Sequence, residues 1–218
     1  MKKFFFINNF QTRDKFFICI FLILKLIRRL AGHNNTIFSL VTNKDNKLIS
    51  VSSDNTIKIW DIETGEIKRT LTGHSNRVRS LVINKDNELI SGSGNAEIKI
   101  WNMETGQVKK TLTGHTSSVL TLVINKDNEL ISGSYDNTIK IWILETFRVK
   151  GTLTGHTGPV YSLVINKDNE LISGSGDATI KIWNMETGQV KRTLTGHTRP
   201  VYSLVINKDN ELISGSGD

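Results

Sequence analysis

The sequence predicts an all-β fold built from repeated four-stranded sheets, and three observations support this prediction. The pair Gly-His returns at one constant interval along the chain. It stands at Gly32-His33, Gly73-His74, Gly114-His115, Gly155-His156 and Gly196-His197. A tryptophan returns at the same interval, at Trp60, Trp101, Trp142 and Trp183. No segment within the repeats sustains a helical period, so the regular elements are expected to be strands.

One repeat, residues 78–112, shows where the strands are expected. Apolar and β-branched residues alternate with polar ones or form short runs, and these runs are separated by turn formers such as Asn84–Asn87 and Met103–Gly106. The four strands are predicted at Val78–Ile83, Glu88–Ser93, Glu97–Trp101 and Val108–Leu112. Some first-strand segments, such as Ser162–Ile165, are apolar on both faces, which favours a sheet packed between two neighbouring sheets.

With these markers in register, the chain resembles the WD-repeat β-propeller family over roughly residues 26–218. The resemblance implies that each four-stranded sheet is one blade of a propeller. It also implies that four side chains pin each blade: a His before the first strand, a Ser on the second, an Asp in the next turn and the Trp on the third. Such a hydrogen-bonded set satisfies a buried indole N–H and a buried carboxylate.

Four blades carry these implied structural sets, and blade two departs from the pattern. The members are His33, Ser50, Asp54 and Trp60 in blade one; His74, Ser91, Asn95 and Trp101 in blade two; His115, Ser132, Asp136 and Trp142 in blade three; and His156, Ser173, Asp177 and Trp183 in blade four. The last unit has His197, Ser214 and Asp218 but no Trp. Asn95 is expected to hydrogen-bond without the charge assistance of an Asp.

The repeat boundaries predict an open arc of blades. A non-repeat segment covers residues 1–25, and the propeller units are expected near 26–66, 67–107, 108–148, 149–189 and, in part, 190–218. Full blades fall at 37–71, 78–112, 119–153 and 160–194, whereas 201–216 supplies two strands and Leu26–Leu30 aligns with a fourth strand. The family commonly has seven blades. An incomplete propeller or a fragment of one is therefore expected, and open repeat ends normally need capping.

Residues 16–27 contain a hydrophobic run that is too short to cross a bilayer. Three interpretations remain open for residues 1–25: a membrane-associated anchor, a cap on the open end, or sequence unrelated to the propeller. Capping or unrelated sequence is favoured over the anchor.

Charge and composition disfavour several functions. The net charge is +7 at pH 7, but residues 1–30 hold seven basic groups and one acidic group. Residues 31–218 hold 21 basic and 20 acidic groups, so the repeats carry no basic stripe for nucleic acid. Cys19 is the sole cysteine, which excludes an intrachain disulfide. No cofactor or metal site is predicted, because successive histidines stand one full repeat apart without a second ligand nearby.

The repeated His, Ser and Asp favour structure over catalysis, since a hydrolase triad occurs once per active site. A local departure is expected at Phe147, where the other blades have Gly65, Gly106 and Gly188. Because a Gly there suggests positive φ, which a bulky residue resists at a cost of about 1–3 kcal/mol, the sequence predicts a different turn.

Positions that vary between near-identical repeats predict the partner-binding face. They follow the Gly-His pair, occupy one place in the first strand, or precede the turn Asp. In the family these places lie on one end of the propeller, around the central channel, and Arg and Tyr often anchor interfaces. The predicted binding residues are Arg77, Arg79, Tyr135, Tyr161, Arg199 and Tyr202. Drift of the copies at loosely packed positions is an equally weighted explanation.

The resulting functional prediction is a non-catalytic, cytoplasmic scaffold that binds other proteins or peptides. One alternative is a regulatory or targeting part of a larger multidomain protein, and another is a propeller tethered to a membrane through residues 16–27. A homo-oligomer that completes the ring is a further alternative, because near-identical units favour swapping.

Overall fold

The computed structural model describes residues 6–7 and 29–218, and every regular element in this part of the chain is a β-strand. Four consecutive antiparallel sheets have four strands each. Blade one contains β3 (Ile37–Thr42), β4 (Leu48–Ser52), β5 (Ile57–Trp60) and β6 (Ile67–Leu71). Blade two contains β7 (Val78–Ile83), β8 (Leu89–Ser93), β9 (Ile98–Trp101) and β10 (Val108–Leu112). Blade three contains β11 (Val119–Ile124), β12 (Leu130–Ser134), β13 (Ile139–Ile143) and β14 (Arg148–Leu153). Blade four contains β15 (Val160–Ile165), β16 (Leu171–Ser175), β17 (Ile180–Trp183) and β18 (Val190–Leu194).

Two smaller sheets flank the four blades, and the arrangement is open. β1 (Phe6–Ile7) pairs in parallel with β2 (Arg29–Leu30), and β19 (Val201–Ile206) pairs with β20 (Leu212–Ser216). The prediction of an all-β, incomplete WD-type propeller is confirmed. None of the described residues belongs to a helix with the length and hydropathy that crossing a bilayer requires. The hydrophobic run at 16–27 lies outside the described residues.

Asparagine side chains fix the turn between the first two strands of each blade. In blade two, the backbone N–H of Asn87 donates to the Asn84 carbonyl at 3.1 Å, with Asn87 at a φ of 62°. The Asn84 side-chain oxygen accepts the backbone N–H groups of Asp86 and Glu88 at 3.1 and 2.8 Å. Asparagine suits both roles, because it tolerates positive φ and bonds to nearby backbone. The repeated Asn-Lys-Asp-Asn motif therefore sets the strand register.

The hydrophobic core lies between blades. We call the side of a blade that faces the next blade its trailing face, and the side that faces the previous blade its leading face. Between blades two and three, the trailing face contributes Ile90, Ile98, Ile100 and Leu112, and the leading face contributes Val119, Leu122, Leu130 and Trp142. The same repeat positions form the interfaces on either side. Each blade thus buries apolar residues on both faces, as the first-strand pattern predicts.

A glycine on the second strand lets two blades approach closely. A Cβ built on Gly133 would lie 2.7 Å from Cγ1 of Val160 on the next blade. Gly92 has the same relation to Val119, at 2.6 Å. In blades two and three these glycines leave room for the valine of the next blade, whereas blade one carries the buried Val51 at the equivalent position and still packs on blade two.

The prediction of a different turn at Phe147 is wrong. Phe147 adopts a φ of 59°, close to the 78° of Gly106, and its N–H donates to the Ile143 carbonyl at 2.8 Å as Gly106 does to Asn102. The difference lies in the strands: β13 and β14 each extend one residue further than β9 and β10. Asn102 caps the turn by accepting backbone N–H groups of Glu104 and Thr105, and Ile143 has no polar side chain to do so. Ladder pairing between Ile143 and Arg148 replaces that cap.

The positive φ of Phe147 is expected to strain the backbone and to lower the free energy of unfolding. Phe147→Gly is expected to be more stable than Phe147→Ala by about 1 kcal/mol, because both variants lose the ring and only Ala keeps a Cβ in the left-handed region. Urea unfolding curves of the two variants measure the difference. The control is Gly151→Ala, where a Cβ would meet no atom within 4 Å, and little change is expected. Equal stability of the Gly and Ala variants would contradict the strain.

Candidate functional site

Each complete structural set is a chain of hydrogen bonds centred on a buried serine. In blade three, Trp142 Nε1 donates to Ser132 Oγ at 2.8 Å, and Ser132 Oγ lies 2.7 Å from His115 Nε2. His115 Nδ1 lies 2.8 Å from Asp136 Oδ2. Since the carboxylate accepts from Nδ1–H, Nε2 accepts the serine proton, and every donor has an acceptor. The same Trp, Ser, His and Asp contacts occur in blades one and four.

This geometry has the connectivity of a hydrolase triad without its accessibility. A nucleophilic serine must reach a substrate, whereas Ser132 is fully buried and its oxygen already accepts the indole N–H. The same burial applies to Ser50, Ser91 and Ser173. Each set therefore links the strands of one blade to the loop before its first strand, and its buried serine is not placed to catalyse acyl transfer.

A threonine is a fifth member that the sequence analysis missed. Thr138 Oγ1 donates to Asp136 Oδ1 at 2.6 Å, and the Thr116 backbone N–H donates to Oδ2 at 3.0 Å. The available signal was a Thr two residues after the turn Asp, present as Thr56, Thr138 and Thr179. Blade two has Glu97 at this position.

Burial and hydrogen bonding shift the pKa values of these groups. Burial alone raises the pKa of Asp136, but hydrogen bonds from Thr138 and the Thr116 backbone outweigh it and hold the pKa at about 2. Asp54 and Asp177 also have pKa values of about 2 for similar reasons. Burial lowers the pKa of His115, partly offset by its bond to Asp136. The folded blade therefore favours an ionised Asp beside a neutral His.

Blade two lacks the bond between the turn residue and the histidine. His74 Nε2 keeps its 2.7 Å contact with Ser91 Oγ, but its buried Nδ1 has no hydrogen-bond partner among the described residues. The Asn95 amide nitrogen instead donates to Ser75 Oγ and Glu97 Oε2, both at 2.9 Å. The amide thus still hydrogen-bonds, as the sequence predicts, but not to the histidine. Burial, aided by Lys99, lowers the pKa of His74 to about 4.

The last unit keeps its three members in a more open setting. His197 Nε2 lies 2.8 Å from Ser214 Oγ, and His197 Nδ1 lies 3.0 Å from Asp218 Oδ1. His197 and Ser214 are accessible to solvent in part, unlike their counterparts in the four blades. Water can therefore replace a lost partner here, which makes this unit a useful reference for the buried sets.

The variable first-strand position sits in a β-bulge. In blade two, Val78 pairs with Ser93 and Ser80 pairs with Gly92, so Arg79 is the extra residue. The same register shift occurs at Phe38, Leu120, Tyr161 and Tyr202. A bulge frees one residue from the ladder and re-aims its side chain. This position can therefore vary without disturbing strand pairing.

Four of the five bulge residues form two contacting pairs, one between a cation and an aromatic ring and one between two aromatic rings. The Arg79 guanidinium carbon lies 4.9 Å from the centre of the Phe38 ring, and the rings of Tyr161 and Tyr202 lie 5.0 Å apart. Burial is the main cause that lowers the pKa of Arg79, and the positive charge of Arg77 lowers it further. Tyr135 and Tyr202 each have an exposed fraction of 55%.

The other variable positions lie beside the bulges. A Cβ on Gly94 would lie 3.1 Å from Arg77, and one on Gly176 would lie 3.3 Å from Tyr161. A Cβ on Gly217 would lie 3.6 Å from Arg199 and 3.7 Å from Tyr202. Variable positions of different kinds thus lie close together in these three units. Arg199 belongs to the last unit, where it and Tyr202 both lie close to Gly217 in space.

Comparison with known proteins agrees with the repeat geometry. The family model described as "WD domain, G-beta repeat" matches residues 24–61, 65–102, 106–142, 147–184 and 188–218. A segment of 41 residues is 49% identical to the Nuclear distribution protein nudF of Emericella nidulans. This segment is 18% of the chain and covers 9% of the length of nudF, so the similarity corresponds to about one repeat.

The serine that links Trp to His in a buried set predicts a large difference in stability between two equivalent Ser→Ala substitutions. Ser132→Ala is expected to lower the free energy of unfolding by about 2–4 kcal/mol, because it strands a buried indole N–H and a buried imidazole nitrogen. Ser214→Ala is expected to cost at most about 1 kcal/mol, since His197 can bond to water instead. Chemical denaturation followed by tryptophan fluorescence compares the two. Similar losses of stability in the two variants would show that the hydrogen bonds of Ser132 contribute little.

The altered polar set of blade two predicts that two substitutions stabilise the chain together although neither does so alone. Asn95→Asp alone places a carboxylate beside Glu97, and Glu97→Thr alone removes the ion pair of Glu97 with Lys99, so neither is expected to stabilise. The double variant restores the Asp and Thr of the other blades and is expected to gain about 1–3 kcal/mol through charge-assisted bonds to His74. Chemical denaturation of the unmodified chain, the two single variants and the double variant measures how the two substitutions couple. Additive effects on the free energy of unfolding would contradict this interpretation.

The same double variant predicts a change in pH dependence. A folded pKa of about 4 for His74 lies below the unfolded value of 6.5, so His74 favours folding above pH 6.5 and this contribution is lost as pH falls toward 4. A carboxylate at position 95 would raise the folded pKa of His74. The loss of stability between pH 6.5 and 4 is therefore expected to be smaller than in the unmodified chain, as thermal melts at several pH values would show.

Proposed function

Because the chain belongs to the WD40 repeat family, we propose that it is a non-catalytic scaffold that binds a protein or peptide segment on the face formed by its β-bulges. WD40 domains typically bind other proteins, and this is the coarse function that the family supports. The finer proposal concerns the binding residues Arg77, Arg79, Tyr135, Tyr161 and Tyr202, together with Arg199 of the last unit.

The observation that carries the proposal is the incomplete bonding of Arg79. Its Nε is buried and has no hydrogen-bond partner among the described residues. Neither Arg77 nor Arg79 nor Arg199 forms a salt bridge within the described part of the chain. A guanidinium that is half-buried against an aromatic ring and lacks an acceptor is costly unless a partner supplies one. The position thus favours a ligand that brings an anionic oxygen.

The surrounding side chains favour a peptide with a carboxylate next to an apolar residue. Tyr135 and Tyr202 expose large ring surfaces, and the Tyr161 and Tyr202 rings already pack together. Such rings bury apolar area at low entropic cost and keep a hydroxyl for hydrogen bonding. A carboxylate that reaches Arg79 would be drawn by Arg77 as well, since two cations lie close together there. An acidic peptide segment is therefore the proposed partner.

Other roles raised by the sequence remain proposals of smaller scope. A regulatory or targeting part of a larger protein fits the repeats equally well, and nudF is an example in which a similar repeat lies within a longer chain. A membrane tether would depend on residues 16–27, outside the described residues. A cytoplasmic location is likewise proposed from the family alone.

Selection from a random peptide library on the full chain tests the binding face. Selected peptides are expected to carry Asp or Glu beside an apolar residue. Their affinity, measured by fluorescence anisotropy, is expected to fall at least about 100-fold in the variant Arg79→Ala, Tyr161→Ala, Tyr202→Ala, which removes a cluster of interface anchors.

The matched control is Arg148→Ala, which removes the same charge from an exposed position on β14. It is expected to leave affinity unchanged. Selected peptides with no acidic preference, or peptides that bind the triple variant as tightly as the unmodified chain, would contradict the proposed site.

A further inference from the structure

The two ends of the described arc expose the two halves of one repeated interface. Leu81, Leu122, Leu163 and Leu204 are buried on the leading faces of their units, whereas the equivalent Leu40 of blade one has an exposed fraction of 47%. On the trailing side, Ile49, Ile90, Ile131 and Ile172 are buried, whereas the equivalent Ile213 of the last unit has an exposed fraction of 53%. Val205, beside Ile213, is exposed as well.

A glycine on the last strand is also uncovered. Gly174 would meet Val201 of the next unit at 2.8 Å if it carried a Cβ. The equivalent Gly215 would meet only Ser203 of its own unit, at 3.7 Å. The space that a first-strand Val or Ile of the following blade occupies elsewhere is therefore open to solvent at this end. The trailing face of the last unit is shaped for a further blade.

We propose that the trailing face of the last unit packs on the leading face of blade one of a second copy of this chain, head to tail. Three of the four internal interfaces join a trailing face to a leading set of Val, Leu, Leu and Trp. Blade one presents the closely matched set Ile37, Leu40, Leu48 and Trp60. The trailing strands of the last unit repeat those of blade four letter for letter from Val160–Asp177 to Val201–Asp218. The proposed contact thus continues an interface that the chain already forms with itself.

The two small sheets, β1–β2 and β19–β20, would each supply part of the proposed contact between copies. Leu30 on β2 stands one full repeat before Leu71, the last residue of a fourth strand, and packs against Leu48 and Trp60 of blade one. It covers the outer part of the leading face and leaves Leu40 exposed on the inner part. The last unit supplies the complementary first and second strands, β19 and β20. Two half-blades from two copies would therefore share one blade position.

The apolar character of both faces explains why they are expected to associate. Ile213, Val205 and Leu40 would each leave water, and burial of apolar side chains is the dominant favourable contribution to most protein association. Unpartnered blade faces are the usual reason that repeat arrays need a cap. A heterologous contact of this kind closes a ring when its rotation permits and otherwise extends a chain of copies.

Single substitutions that each spoil one face give a strict test. The full chain is expected to show at least twice its mass of 24.5 kDa by light scattering after size exclusion. Leu40→Asp places a charge on the exposed leading face of blade one, and Ile213→Asp places a charge on the exposed trailing face of the last unit. A solution of either variant alone lacks one of the two faces that the contact needs, so each variant alone is expected to be a monomer. A mixture of the two contains one intact face of each kind and is expected to form a dimer of one copy of each variant.

The outcomes separate head-to-tail packing from its alternatives. A dimer that joins two leading faces or two trailing faces would still form in one of the single variants without mixing. Such a result would overturn the proposal. A monomeric unmodified chain also overturns it. Near-UV circular dichroism of the tryptophans checks that both variants fold, and Phe147→Asp, which removes a comparably exposed apolar residue from an outer turn, is expected to keep the mass of the unmodified chain.

Discussion

The structure depends on sheets that are apolar on both faces. A lone four-stranded sheet with two apolar faces cannot be stable in water, so each blade needs a neighbour on either side. The clusters between blades show how this need is met, with aliphatic residues of one blade packed on the Leu and Trp residues of the next. Close approach at Gly92 and Gly133 follows from the same need, because the sheets must interlock without a gap.

The buried polar sets make this packing specific. A Trp in an apolar interface brings an indole N–H that must find an acceptor, and Ser132 supplies it. The serine proton, the imidazole and Asp136 then complete a chain whose far end reaches the loop before the first strand. Chemistry that would be catalytic in a cleft is structural here, because the hydroxyl has no access to a substrate. Position in the fold, and not residue type, decides the role.

Periodicity predicted the strands and their order, and the resemblance to the family implied the polar sets, whose residues return in each repeat. What it missed depends on local competition. Asn95 bonds to Glu97 and Ser75 instead of His74, a choice set by the Thr-to-Glu change two residues later. Phe147 keeps the positive φ of a glycine because the Ile143 carbonyl and the strand register hold the turn. Neither outcome follows from the residue at that position considered alone.

Repetition and variation divide the surface between two uses. The residues between blades are alike in most units, with departures such as Val51 where the other units have a glycine. The bulge residues take no part in strand pairing, so Phe38, Arg79, Leu120 and Tyr161 are free to differ. The proposed self-association would use the repeated residues between blades, and the proposed peptide site would use the bulge residues. The two proposed contacts therefore rest on different residues of the same repeat.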